Sequence, residues 1–138
     1  MKRITNLLLL LCLVVFCLAS CTSLNSYEDN LGKDYKVKIY EIEDDEDEIE
    51  DIAEDFDLDY EDYGIKAIIY AKDKDNSNPA YIIKCGSKKE AKELKSDLKD
   101  YINDEFRYDD DFDEIDVVID GKFVLVGYED VIDDALDK

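Results

Sequence analysis

Carboxylates and thiols are the groups in this sequence that could do chemistry. It holds 38 Asp and Glu residues and four Cys among 138 positions, with no His. A catalytic thiol wants a base beside it, usually an imidazole, so the lack of His removes the common Cys–His arrangement. Cys12 and Cys17 lie within an apolar run, Leu7 to Leu18. Cys85 alternates with Tyr81 and Ile83 and reads as a small buried hydrophobe. Cys21 is different, because it directly follows Leu18-Ala19-Ser20. A basic start at Lys2 and Arg3, an apolar stretch too short to span a bilayer and small residues before a cut make a secretory signal. Residues 1–20 are therefore expected to leave as a signal, with Cys21 at the new terminus.

The acids invite a search for metal sites and catalytic pairs. Asp73-Lys74-Asp75-Asn76-Ser77-Asn78 starts like a calcium loop, with side-chain oxygens at alternate positions. Asn78 stands where such a loop requires Gly, and Lys84 where a bidentate Glu should close it. Asp57-Leu58-Asp59-Tyr60-Glu61 and Asp109-Asp110-Asp111-Phe112-Asp113 lack both features too. All three read as turns and solvated surface, so no metal-ligating residue is assigned. Carboxylate pairs suited to glycoside hydrolysis are too common here to single one out. The sequence has no Gly-rich phosphate loop, nucleophile elbow, zinc spacing or redox Cys pair. The expectation is a non-enzymatic domain, with no catalytic residue and no cofactor. The alternative is a surface module that binds Ca2+ through its acids.

Leu18-Ala19-Ser20-Cys21 resembles, position by position, the lipobox of bacterial prolipoproteins. That resemblance covers the first 21 residues. It implies a diacylglyceryl group on the Cys21 thiol, cleavage between Ser20 and Cys21, and often acylation of the new amine. It also implies a protein held on the extracytoplasmic face of the cell membrane. Each buried methylene contributes about 0.8 kcal/mol, and two chains suffice for stable anchoring. The rest of the chain resembles small lipoproteins of low-GC Gram-positive bacteria, a likeness that carries no function with it.

Charge narrows the partners. The formal net charge is −21. Removing residues 1–20 takes away two basic and no acidic residues, leaving 15 against 38 and a charge of −23. Such a body is repelled by nucleic acid phosphates and by anionic headgroups. No nucleic acid partner is expected, and contact with the membrane falls to the lipid on Cys21. A basic envelope protein or peptide suits the charge. Tyr40 and Tyr70 lie opposite the apolar side of their strands and form a candidate partner surface, aromatic beside acid.

These residues need a scaffold. Cys21 to Asp34 is polar and reads as a tether, followed by a single domain over 35–138. Tyr35 to Ile42 alternates as a strand, with Val37 and Ile39 inward. Ile49, Ile52, Ala53 and Phe56 make the apolar stripe of an acidic helix. Ile65 to Lys72 and Ala80 to Cys85 form a hairpin, with Ile65, Ala67, Ile69 and Ala71 on one side. Ser87-Lys88-Lys89-Glu90 is a capping box opening a lysine-rich helix through Phe106. Ile115 to Ile119 and Lys122 to Val126 flank Asp120-Gly121, the signature of a type I′ hairpin. Val131, Ile132, Ala135 and Leu136 suggest a closing helix. The order βαββαββα implies an α+β fold, a ferredoxin-like βαββαβ extended by βα. Both main helices should then lie on one face of an antiparallel sheet, the lysine-rich one offsetting the charge of the acidic one.

Overall fold

The structure is a computed structural model that describes residues 23–138. Leu18, Ala19, Ser20 and Cys21, with the rest of the signal, lie outside the described residues. Among the described residues four α-helices and five strands follow in order, with short 3-10 turns at Gly32–Asp34 and Phe112–Glu114: α1 (Leu24–Leu31), β1 (Tyr35–Glu41), α2 (Glu46–Asp55), β2 (Ala67–Asp73), β3 (Pro79–Lys84), α3 (Lys88–Phe106), β4 (Ile115–Asp120), β5 (Phe123–Tyr128) and α4 (Glu129–Ala135). The fold is α+β, built on one five-stranded sheet.

The sheet runs β1-β2-β3-β5-β4 with every neighbouring pair antiparallel. This corrects the ferredoxin-like expectation. A split βαβ start would hold β1 and β2 apart with another strand between them. Instead β1 pairs β2 along its whole length, from Tyr35 opposite Asp73 to Glu41 opposite Ala67. α2 is thus an excursion within an antiparallel connection. A split crossover occurs once, later: α3 joins β3 to β4, which run parallel on either side of β5.

Helices cover both faces, which corrects the one-face expectation. Ile68 and Ile69, Ile82 and Ile83, and Val124 and Leu125 are adjacent pairs, each residue at most 2% exposed. Neighbouring residues in a strand point to opposite faces, so such pairs are apolar on both and need cover on both. α2 and α3 cover one side through Ile49, Leu94, Leu98 and Ile102. α1 and α4 cover the other through Tyr27, Leu31, Val131 and Ile132. Ala67, Ile69 and Ala71 share the α1/α4 side; Ile65, before the strand begins, packs on the α2/α3 side.

The stretch read as a tether contains α1. Leu24, Tyr27 and Leu31 fall at i, i+3 and i+7, Tyr27 is 1% and Leu31 3% exposed, and Gly32 at φ +61 ends the helix. Among the described residues the folded domain therefore reaches back to Leu24, earlier than Tyr35. α3 starts with one half of the expected capping box: Ser87 Oγ accepts the Glu90 amide at 3.2 Å, while the return bond from the Ser87 amide to the Glu90 carboxylate is not made. The β4–β5 turn centres on Gly121 and Lys122, and of the two only Gly121 has a positive φ, at +62°. That is the type II′ pattern rather than type I′. Among the described residues no helix is long and apolar enough to cross a membrane.

Candidate functional site

On the α1/α4 side the helices are tied to the sheet by side-chain bonds, and smaller openings remain beside α4, of about 410 Å³ lined by Asp113, Glu114, Glu129, Asp130 and Asp133, and beside Leu24, of about 310 Å³. Tyr27 donates to Asp120 at 2.7 Å, Tyr35 donates to Asp134, and Asn30 Nδ2 donates to the Ala135 carbonyl at 2.8 Å. Burial, and then the bond to a carboxylate, raises both phenols above their ordinary pKa.

The α2/α3 side opens into a cleft of about 560 Å³. Its making begins at the end of α2. Asp57 sits in the left-handed region at φ 58, the Leu58 amide returns to the Ala53 carbonyl at 3.0 Å and the Asp57 amide to Glu54 at 2.9 Å. These two bonds form a Schellman stop, with Asp where Gly is usual. The stop leaves Phe56 and Leu58 in the cleft lining. Glu54, Asp55 and Asp57 supply carboxylates from one wall, and Asp97, Asp100, Asp104 and Glu105 from the α3 wall. Tyr63 and Tyr101 complete the lining, which contains no Lys or Arg. Tyr63 donates to Asp97 at 2.6 Å, and Tyr101 reaches from α3 across to the Asp55 carbonyl at the end of α2, at 2.8 Å. Burial first, then the Asp97 bond, raises the Tyr63 phenol; burial and the acids Glu105 and Asp55 raise that of Tyr101. Nearby, the bond to Glu46 at 2.6 Å pushes Tyr60 up to about 12.

The expected pairing of an acidic with a basic helix is not how this region is built. The flank of α3 toward α2 carries Asp97, Asp100 and Asp104, whereas Lys99 lies on the other flank, beside Ile115 and Val117 of β4. The ion pairs among the described residues are Lys89–Glu93 at 3.7 Å and Lys138–Asp133 at 3.9 Å, and neither joins α2 to α3. Phenol hydroxyls take the place of cations as donors to the carboxylates.

A run of rings crosses the same side. Tyr70 lies 5.1 Å from Tyr81, Tyr81 5.3 Å from Phe56, Phe56 5.8 Å from Tyr101 and Tyr101 6.1 Å from Phe106, centroid to centroid. All five are half-buried. Of the two tyrosines singled out in the sequence, Tyr70 ends this run and Tyr40 packs half-buried against the same core. Neither lies on a bare sheet face, because α2 and α3 occupy that side. Phe56, Tyr81, Tyr101 and Phe106 escaped the sequence reading as site residues. Phe56, Tyr101 and Phe106 sit on the apolar stripes of their helices, where a ring reads as core. Tyr81 gave a signal, since it stands opposite Tyr70 in the β2–β3 register.

Two further groups singled out by the sequence, Asp73 and Cys85, are taken up by structure. Asp73 Oδ1 accepts the amides of Asp75 at 2.7 Å and Asn76 at 3.2 Å, so this carboxylate shapes the hairpin loop. Cys85 is 1% exposed, and burial, with Glu90 nearby, pushes its thiol up to about 12. A thiol held protonated is a packing group. Compared with known proteins, the chain matches no family model, no curated protein and no solved structure.

Proposed function

We propose that this chain is a lipoprotein of the extracytoplasmic membrane face whose acidic domain binds a basic protein or peptide between α2 and α3. Leu18-Ala19-Ser20-Cys21 carries the anchoring half of the reading. Lipid on Cys21 holds the protein at the membrane, while the negative body stands off the anionic surface. The binding half rests on the cleft of about 560 Å³, which seven carboxylates line without a single basic residue. Like charges gathered in a concave, partly apolar site raise the local concentration of cationic partners and speed their encounter. Half-buried Phe56, Leu58 and Tyr101 in its lining supply the apolar contact that charge lacks.

Ca2+ binding is the second reading, since the same acids would attract divalent ions. Among the described residues no three potential ligands stand close enough to hold one ion. Charge strung along two helices suits an extended basic segment better than a point cation.

The anchoring half is tested by the mass of native Cys21 and by Cys21→Ser. A lipid adduct on the wild type, and release of the variant from the membrane fraction, are expected; an unmodified thiol on native material would remove the anchor. Crosslinking in intact cells, followed by recovery at 50 and 500 mM salt, tests the other half. The expected partner is basic and lost at high salt. A partner retained at high salt, or one that is acidic, would count against the cleft. Saturable Ca2+ binding at a fixed stoichiometry would favour the second reading.

A further inference from the structure

We infer that the cleft and the ring run that continues from it take an extended, arginine-bearing segment, with its cationic part over Phe56 and Tyr101, the two rings of the run that line the cleft, and its anionic part beyond the cleft, past Tyr81 and Tyr70, toward Lys38. The inference rests on the basic-partner reading and specifies it. Successive rings stand 5.1–6.1 Å apart. Side chains on one face of an extended segment recur about every 6.5 Å, so alternate residues can address successive rings. A guanidinium is planar and weakly hydrated and lies flat on an aromatic face, whereas an ammonium is a strongly hydrated point charge. Asp100 and Asp104 line the cleft beside Tyr101, so a guanidinium stacked there also meets carboxylates.

The other end of the run has the opposite sign. Lys38 stands across from Tyr70 in the β1–β2 register, and Lys36 across from Lys72. Residues two apart share a strand face, so all three lysines lie on the face of Tyr70. None makes an ion pair among the described residues. They repel a cation and favour a carboxylate. The bound segment therefore has a direction, basic toward Phe106 and acidic toward Tyr70. A second copy of the chain is the competing occupant, because its own lysine strip could enter the cleft. Two bodies of net charge −21 repel each other, which favours a foreign segment.

Titration calorimetry on the full chain, with blocked peptides, tests this. The probes are Glu-Ala-Arg-Ala-Arg-Ala-Arg, its lysine counterpart, and an all-arginine-and-alanine peptide. The arginine peptide should bind about two- to fivefold more tightly than the lysine one for each ring it covers. Tyr101→Leu and Tyr81→Leu should erase that preference and leave weak, salt-sensitive binding, while Tyr81→Phe should keep it. Circular dichroism and melting curves show whether each variant is folded. Lys38→Glu should weaken the peptide with the acidic end and strengthen the all-basic one. Equal affinity for arginine and lysine peptides, unmoved by the ring variants, overturns the inference and leaves the basic-partner reading standing. If neither peptide binds, both fall. A dimer seen by sedimentation that the peptides cannot displace would make the second copy the occupant and overturn the inference.

Discussion

On the α1/α4 side of the sheet, Tyr27 and Tyr35 reach through the layer to Asp120 and Asp134, and the helices meet over a shared apolar core. On the α2/α3 side the same device appears, Tyr63 on Asp97 and Tyr101 on the Asp55 carbonyl, yet the helices stand apart and a cleft remains. Both sides bury aliphatic cores to similar depth. They differ in the flank that each pair of helices turns inward. α1 and α4 meet through Tyr27, Leu31, Val131 and Ile132. α2 and α3 turn carboxylates toward one another. Repulsion and the hydration of ionised acids keep the second pair from closing, since unpaired charge is costly to bury. In a chain with few cations, a Tyr hydroxyl is the donor that can satisfy a carboxylate without itself being an ion.

Substitutions can break or sharpen this contrast. The largest effect is expected on the α1/α4 side. Leu125→Ala, at a fully buried site, should cost about 2–5 kcal/mol in urea unfolding, and Phe56→Ala, half-buried beside the cleft, distinctly less. A greater loss at Phe56 would reverse the contrast. Next comes Gly127 on β5, where φ is +144 and an added Cβ would stand 2.5 Å from Ala80 Cα and the Pro79 carbonyl oxygen. Gly127→Ala should cost about 1–3 kcal/mol in the same assay, because backbone must move to admit it. A near-neutral result would mean that β3 and β5 separate easily.

Tyr27→Phe should cost about 1–3 kcal/mol by leaving Asp120 without its donor. It also makes a pH prediction. The folded state holds the Tyr27 proton more tightly than the unfolded chain, chiefly through burial and then through Asp120. The stabilisation is therefore complete below about pH 10 and is lost as the pH rises beyond it, where the unfolded state binds fewer protons. Wild type should lose stability above that point more steeply than Tyr27→Phe; parallel curves would place the alkaline sensitivity elsewhere.

Two smaller effects should have the opposite sign. Asp57→Gly relieves a left-handed residue at the Schellman stop and should stabilise by about 0.5–1 kcal/mol in thermal melts. Asp104→Asn removes a like charge four residues from Asp100 and should stabilise by about 0.2–0.5 kcal/mol at low salt, vanishing at high salt. Destabilisation by Asp104→Asn would mean that these acids hold the helix rather than wait for a partner.

Local rules made much of the fold readable. α3 could be read because Ser87, Glu90 and six apolar residues at helical spacing all agree. The β2–β3 and β4–β5 hairpins could be read from Asp73 to Pro79 and from Gly121, since turn chemistry acts over a few residues. α1 was obscured by Asn25, Ser26 and Asn30, which outweighed the spacing of Leu24, Tyr27 and Leu31. The two-sided burial of β2, β3 and β5 is legible in the adjacent apolar pairs, which outweigh the one-faced alternation of β1. Of the five rings, alternation in the sequence points only to Tyr70; the other four meet because α2, α3 and β3 converge.

Composition and local pattern alone determined the excess of acid, the absence of an imidazole, the lipobox-like Leu18 to Cys21, the α+β class and most element boundaries, because each depends on residues near one another in the chain. Strand order, the covering of both sheet faces, the facing carboxylates of α2 and α3 and the joining of Tyr70, Tyr81, Phe56, Tyr101 and Phe106 were decided by tertiary structure. Helical periodicity says which residues turn inward, but it does not say which flank will face a neighbour. That depends on how two distant helices are set across the sheet, and here it turns like charge toward like charge and leaves a cleft open.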